Sequence, residues 1–315
     1  MARDYAAIVD ALVESPNPII RYKASVRLKG TRPSSKKAQA QRAAIGDSPI
    51  ARTLLSDLEA ADCGTREGIA TVYHTLRYLA DIEYPAGDRS LTPHRDEVHA
   101  WLRRLENEYD GPLLIRDKHR VHASFHGNAI HAAIVLGIAN AGTDDLAKNL
   151  LRYQWPGGGW NCNKKPKAKG PTIVHTAYGM RGLSTYASRK RSKPVIEAVE
   201  ASAQVLLERR VYLKRTTGKP LRPVYTKLSY PYPRLYDFMV GLQILARSGH
   251  VRDPRCESAL ELLESKLIEG EGWAVERRTP EQTHSMWNRE RRGRANLFLT
   301  VDALEILKRA GRLGV

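Results

Sequence analysis

Five long apolar segments recur along this chain, with starts separated by 56, 48, 62 and 62 residues. Each has helical periodicity and is apolar on nearly every side, which indicates a helix covered by protein on all faces. A period of this length, shared with more polar segments, is typical of helical hairpins that cannot each bury a core alone. The five segments are 68–82, 124–139, 172–187, 234–249 and 296–311.

Amphipathic helices are predicted between the apolar ones, with Thr92, Thr143 and Asp253 as N-cap residues. Stacked hairpins form an open solenoid or close into a ring, and the many small residues of the apolar segments favour the ring. We therefore predict an all-α fold, an α/α toroid of about five to six hairpins in a single domain, 1–315, on which residues 1–47 pack as a helical extension. The predicted amphipathic helices are 92–106, 143–154, 193–210 and 253–267, with N-terminal helices at 3–13, 17–29 and 48–60.

The formal net charge is +17, which concentrates anions near the surface. The charge does not identify the anion, and the candidates are a phosphorylated or carboxylated small molecule, nucleic acid and an acidic protein. A solvated basic surface without a partner is the alternative. The basic clusters lie at 189–193, 209–227 and 277–294.

Membrane insertion and secretion are not expected. The most apolar run, 129–142, is shorter than the roughly 20 residues of a spanning helix and contains His131. The N-terminus has no apolar signal segment. The three cysteines are too few and too scattered for a disulfide framework, so we expect a cytoplasmic location.

The segment QWPGGGWNCNKKP, residues 154–166, places three glycines and two tryptophans between an amphipathic helix and an apolar one. The glycines permit backbone angles that other residues rarely adopt, so the chain is predicted to reverse tightly here. The spacing of Gln154, Gly158 and Trp160 reproduces the Q-x3-G-x-W repeat of squalene and oxidosqualene cyclases, in which glutamine and tryptophan brace neighbouring hairpins. A weaker copy is GEGWAVE, 270–276.

The chain thus resembles the α/α-toroid superfamily of terpenoid cyclases and protein prenyltransferase β subunits. It is most similar to a group of bacterial proteins of unassigned function with the pattern W-Q-W-P-D-G-G-W-N-C-D-K-x-P. The A-S-x-x-G-N-A stretch at 123–129 and D-P-R-C-x-x-A-L-x-L-L-E-S-K at 253–266 belong to the same resemblance. Gly157 and Asn163 stand where that pattern has aspartate, so any carboxylate chemistry there is lost.

The stretch HTAYGMRGLS, 175–184, is similar to the sequence around the zinc-binding histidine of prenyltransferase β subunits. This resemblance implies zinc as a cofactor, with His175 and Cys162 as metal ligands. A catalytic zinc takes three protein ligands, and the third is not evident. The alternative is a buried cysteine and a hydrogen-bonded histidine that line the ring.

Two further candidates for proton transfer lie just before or at the start of apolar helices. Asp62, in DCGTRE, resembles the acidic motif of cyclases, although a turn or helix-capping carboxylate has the same pattern. The chain has only three phenylalanines, and this small number argues against a cyclase that stabilises carbocations with aromatic rings. In HRVHASFHGNAIH, 119–131, we assign function to His126, in the first turn of its helix, because imidazoles there suit anion binding or acid/base work. The alternative is a histidine that bonds only to backbone or solvent.

If the ring forms, the starts of its apolar helices gather polar side chains at one mouth. Arg66, Arg234 and Arg294 are predicted to clamp an anion, and His126, His175 or Asp237 to move a proton. The predicted substrate-binding residues are Arg66, Glu67, Asn128, Trp160, Tyr232, Arg234 and Arg294.

These patterns favour an enzyme, a lyase, cyclase or transferase that binds an anionic, partly apolar small molecule in a central cavity. Two alternatives stay open. One is a nucleic-acid-binding scaffold that uses the basic loops at 189–227 and 277–294. The other is a protein-interaction platform without catalysis.

Overall fold

A computed structural model describes residues 5–107, 113–232, 236–277 and 293–313. These residues are mostly helical, with two small β-hairpins, which confirms the all-α class. None of the helices in these ranges has the length and apolarity required to cross a membrane.

The helices are α1 (Ala6–Val13), α2 (Pro18–Lys23), α3 (Lys36–Gly46), α4 (Pro49–Ala60), α5 (Arg66–Asp81), α6 (Thr92–Asn107), α7 (Ala123–Val135), α8 (Ala141–Tyr153), α9 (Ile173–Arg189), α10 (Lys193–Leu207), α11 (Phe238–Arg247), α12 (Glu257–Ser265) and α13 (Leu297–Arg309). The strands are β1 (Leu114–Ile115), β2 (Lys118–His119), β3 (Leu267–Ile268) and β4 (Gly272–Trp273). Each consecutive pair forms an antiparallel hairpin, β1 with β2 and β3 with β4.

The five predicted apolar helices are confirmed as α5, α7, α9, α11 and α13, and amphipathic helices alternate with them. Two details of the prediction were wrong. Helix α8 is capped by Asn140, and Thr143 is its reciprocal partner in a capping box. Thr92 is the first residue of α6, and the turn before it is capped by Asp88.

The chain divides into two compact units, residues 50–205 and residues 1–49 together with 206–315. In the second of these units, α1 and α2 contact α13, the last helix of the chain. The N-terminal extension therefore packs on helices that are distant in sequence. The ring-shaped single domain stays a prediction.

Within residues 50–205, α7 and α9 make the closest helix contact, and two glycines explain it. A Cβ atom added to Gly127 would lie 1.9 Å from the carbonyl oxygen of Tyr178. One added to Gly182 would lie 2.5 Å from the Cα atom of Gly127. The two backbones therefore touch, and no larger residue fits between them.

The turn after α8 joins α8 to α10 of the same unit. Gln154 Nε2 donates to the carbonyl of Ala198 at 2.8 Å and to Ser202 Oγ at 2.9 Å, both on α10. Trp160 is fully buried, and its Nε1 donates to the carbonyl of Leu150 on α8 at 3.0 Å. The glutamine and the tryptophan therefore brace neighbouring hairpins, as the sequence motif predicts.

The weaker copy of this motif repeats the tryptophan contacts in the other unit. Trp273 Nε1 donates to the carbonyl of Leu263, ten residues earlier, in the same relation as Trp160 to α8. The backbone amide of Trp160 donates to Thr176 Oγ1, and that of Trp273 donates to Thr300 Oγ1. The two tryptophans thus mark one local structure that occurs twice in the chain.

Candidate metal centre

Three side chains from different parts of the chain meet at one end of the α7–α9 pair. His122 immediately precedes α7, Cys162 follows the glycine turn, and His175 is in the first turn of α9. The amide of Val121 donates to the carbonyl of Asn161 at 3.1 Å, which joins the first two segments. One potential ligand atom from each of the three residues lies within 4.8 Å of the other two.

The contacts among these side chains define their protonation. The amide of Ser124 donates to Nδ1 of His175 at 3.3 Å, so this nitrogen accepts. The proton of the neutral ring is then on Nε2, which lies 2.8 Å from the sulfur of Cys162. The rings of His122 and His175 are nearly perpendicular, with centroids 5.6 Å apart.

The electrostatics do not favour a nucleophilic cysteine–histidine pair. Burial lowers the pKa of His175 to about 3, and His122 and His126 act in the same direction. Burial raises the pKa of the Cys162 thiol, despite a backbone hydrogen bond and Lys164 that lower it. A thiolate and an imidazolium are therefore both disfavoured, whereas an activated cysteine requires the thiolate.

The same features suit a bound metal ion. Metal ligands are neutral histidines and deprotonated cysteines, and the charge of a cation displaces the thiol proton. A tetrahedral zinc ion holds nitrogen and sulfur ligands about 3.5 Å apart, given bond lengths of about 2.0–2.3 Å. The 2.8 Å between His175 Nε2 and the Cys162 sulfur and the 4.8 Å limit for all three ligand atoms bracket this value. His122 is also exposed to solvent. The residues therefore fit zinc. A metal bond at Nε2 of His175 would move the ring proton to Nδ1, so the amide of Ser124 would have to release this nitrogen on metal binding.

Comparing the two copies of the tryptophan motif shows which residues the local structure requires. Cys162 is two residues after Trp160, and the residue two after Trp273 is Val275. His175 immediately precedes the threonine that accepts from Trp160, whereas Leu299 holds this position in the second copy. The motif therefore forms without a cysteine or a histidine, so the scaffold does not require these two residues.

An aromatic row, formed by Phe125, Trp101 and Tyr73, extends from His122 within the unit of residues 50–205. Phe125 stacks on His122 with centroids 5.5 Å apart. The rings of Trp101 and Tyr73 each lie 5.4 Å from Phe125. Tyr73 also lines a small apolar cavity between α5, α6 and α7, beside the buried His99.

A polar network crosses the α5, α7 and α9 helices in the same unit. Arg181 forms an ion pair with Asp81, and its Nη1 donates to Oδ1 of Asn128 at 3.3 Å. Asn128 in turn donates to the hydroxyl of Tyr73 at 3.2 Å. Arg77 is 2 % exposed, and the charge of Asp81 also acts on it. The hydrogen-bonded network therefore runs from Asp81 through Arg181 and Asn128 to Tyr73, and Arg77 is buried close to its carboxylate.

The predicted site residues of this unit are in three settings. His126 is buried, and its Nδ1 lies 3.2 Å from the carbonyl oxygen of His122. Asn128 lies in the polar network, and Trp160 is inside the core. Asp62 accepts from the amide of Gly64 at 2.9 Å in an exposed turn. Arg66 and Glu67 are exposed in the first turn of α5.

The other predicted site residues belong to the second unit. Tyr232 donates to Oδ2 of Asp302 at 2.5 Å, and Arg294 pairs with Glu271 at 3.0 Å. Asp237 caps α11 by accepting from the amide of Val240 at 2.9 Å. Arg234 lies outside the described residues.

Asp237 makes stability depend on pH. Burial raises its pKa from 3.8 to about 6, although hydrogen bonds from Ser229 and Val240 lower it. The native state therefore retains a proton that the unfolded chain releases, so stability falls as the pH rises from about 4 to 6 and stays lower above that window. A pKa raised from 3.8 to about 6 corresponds to a loss of about 3 kcal/mol in the free energy of unfolding across this window.

We expect Asp237→Asn to remove this part of the pH dependence, because asparagine still caps α11 but does not titrate. Urea unfolding of both proteins between pH 4 and 7 measures the difference. Equal slopes of unfolding free energy against pH would show that Asp237 is not protonated in the native state.

His122 was not assigned a metal role from the sequence. Locally it differs little from His119 and His126, and only the contact between α7 and α9 brings it to Cys162 and His175. The available signal was that His122 and His175 both lie at the N-terminal ends of helices carrying small residues. Packing those two helices against each other at Gly127 places the two histidines at the same end of the pair.

The sequence matches no family model and no curated protein, and the structure matches no solved structure.

Proposed function

We propose that this chain is a zinc-dependent enzyme of the toroid type that acts on an anionic, partly apolar small molecule as a transferase, cyclase or lyase. The observation that carries the proposal is the meeting of His122, Cys162 and His175. Zinc held by three protein ligands would act as a Lewis acid or lower the pKa of a nucleophile at its open position. Cys162 and His175 have no counterparts in the repeated motif, which also supports a role in chemistry.

The aromatic row supports a partly apolar substrate. Phe125 and Trp101 are half-buried and follow directly on His122. Aromatic faces provide a large apolar area at little conformational cost. An apolar group on Phe125 would place the adjoining reactive group beside the metal ligands and keep water from it.

The charge of the polar network supports an anionic substrate. Arg181 pairs with Asp81, and the buried Arg77 lies close enough for the charge of Asp81 to act on it, so two guanidinium groups are concentrated around one carboxylate. Arg181 is 10 % exposed, and guanidinium groups bind carboxylates and phosphates through two parallel hydrogen bonds. Asn128 orients Arg181 and keeps its predicted place in substrate binding.

His126 keeps its proposed role in proton transfer. It lies one turn after His122, and its Nδ1 atom is 3.2 Å from the carbonyl oxygen of that residue. The ring arrangement of the helices and a cytoplasmic location are parts of the same proposal. A reducing compartment keeps Cys162 available as a thiol, and the three cysteines form no disulfide with one another.

Purified protein is expected to contain about one zinc ion per chain by elemental analysis, since a catalytic site of three protein ligands holds one ion. Calorimetric titration with prenyl diphosphates of increasing length should then show heat of binding. Arg181→Met should weaken that binding by at least about tenfold, because a hydrogen bond to a charged group contributes about 1.5–3 kcal/mol.

Arg189→Met is the matched control, because Arg189 lies on the same helix but is exposed. If the protein contains no zinc even after incubation with the metal, the proposal of a zinc-dependent enzyme is contradicted. If the protein contains zinc but no prenyl diphosphate gives heat of binding, only an isoprenoid substrate is excluded. An equal effect of the two arginine variants would exclude the polar network as the anion site.

A further inference from the structure

A group of lysines borders the candidate metal centre on one side. We call it the lysine patch and define it as Lys118, Lys164, Lys165, Lys167 and Lys169. Lys118 is on β2, and the other four are exposed in the loop between Cys162 and α9. Lys118 Nζ donates to the carbonyl of Lys169 at 3.3 Å, which joins the strand to the loop.

An arginine lies beneath this patch. Arg120 is 6 % exposed, and its Nη2 donates to the carbonyl of Ala168 at 3.3 Å. Its guanidinium carbon lies 4.6 Å from the centroid of the Trp155 ring, and Lys118 Nζ lies 5.0 Å from the same ring. Within the described part of the chain, Nε and Nη1 of Arg120 have no hydrogen-bond partner. Two cations therefore share one indole ring, and the buried one lacks a counter-ion.

Acidic residues are scarce around the lysine patch. The sequence has no aspartate or glutamate between Asp145 and Glu197, and the β1–β2 hairpin contributes only Asp117. Lys165, Lys167 and Lys169 form no ion pair with any residue that the structure describes. The positive charge of these three lysines is therefore not neutralised by a carboxylate of the described residues.

We propose that the lysine patch binds the phosphate backbone of nucleic acid. Exposed lysines act as flexible point charges, which suits contact with successive phosphates. A protein partner would require an apolar interface core, and a membrane would require several apolar groups to insert. Residues 163–170 expose no large apolar side chain, and Leu114, exposed on the strand paired with that of Lys118, is a single residue that does not form such a core. Trp155 is covered by Lys118 and Arg120, so bases do not stack on it, and binding is independent of sequence.

This surface differs from the basic loops that the sequence indicated. In 189–227, Lys190 pairs with Asp144 at 2.7 Å and Arg215 with Glu208 at 2.5 Å, so part of that charge is neutralised. Residues 278–292 of the other loop lie outside the described ranges. The lysine patch is thus a described basic surface on which three neighbouring lysines form no ion pair.

The test measures binding of a fluorescent DNA duplex and of a single-stranded RNA by anisotropy, from 20 to 300 mM salt, with a chelator present. The chelator makes the result independent of zinc and of the proposed enzyme. The triple variant K165Q/K167Q/K169Q should lower the slope of log affinity against log salt by about 2, since each lost phosphate contact removes about 0.7–0.9. Its affinity should fall by at least about tenfold at 0.1 M salt.

The control variant R32Q/K36Q/K37Q removes the same charge from exposed residues at the start of α3. It should retain the slope, and so should K165R/K167R/K169R, which keeps the patch charge. Circular dichroism checks that every variant is folded. The proposal is overturned if the unmodified protein binds neither nucleic acid at 20 mM salt, or if the glutamine variant and the control lose affinity equally.

Discussion

Replacing Cys162 with alanine is expected to weaken zinc binding by about a hundredfold or more. Four-ligand zinc sites in peptides have binding free energies of about 10–16 kcal/mol, which is roughly 3 kcal/mol for each ligand. Cys162 supplies the one negatively charged ligand of the centre, so its loss removes charge as well as coordination. His122→Ala should cause a similar loss, because two remaining ligands do not complete a site.

Competition with a chromophoric chelator measures these affinities, and cobalt provides a second readout. Cobalt bound to Cys162 should show a thiolate charge-transfer band that Cys162→Ala abolishes and His122→Ala retains in weakened form. Cys63→Ala and His119→Ala are the matched controls, since neither residue belongs to the cluster. If Cys63→Ala lowers zinc affinity as much as Cys162→Ala, the centre proposed here does not bind the metal.

The helices of this protein could be predicted where an apolar face defined them. The predicted apolar helices agree with α5, α7 and α9 to within a few residues, apart from an earlier end of α7. Helix α3 was missed because only Ala38 and Ile45 of its residues are buried, so its sequence has little periodicity. The hairpins were missed because strands of two residues are too short for an alternating pattern.

The candidate site was less predictable, since it depends on contacts between distant segments. A carboxylate before a helix suits an acid catalyst and a cap equally well, and the structure gives Asp237 the contacts of a cap. Tyr232 bonds to Asp302, which is 70 residues away, so no local pattern reports its partner. His122 became the third ligand only through the packing of α7 on α9.

That packing leads to the second large expected effect. Gly127→Ala should destabilise the protein by about 3 kcal/mol or more, beyond the usual range for overpacking, because the obstacle is backbone. The added Cβ would lie 1.9 Å from the carbonyl oxygen of Tyr178, and neither helix has a flexible side chain there that could yield. Gly182→Ala meets the Cα atom of Gly127 at 2.5 Å and should act similarly.

Gly170→Ala is the matched control, because nothing lies within 4 Å of the added Cβ. It should change the free energy of unfolding by less than about 0.5 kcal/mol, as is usual for surface positions. Urea unfolding compares the three variants. Since α7 and α9 position His122 and His175, any folded Gly127→Ala protein should also lose zinc affinity. Normal stability and zinc affinity in Gly127→Ala would mean that the helices are farther apart than the structure places them, and the metal centre would lose its geometric basis.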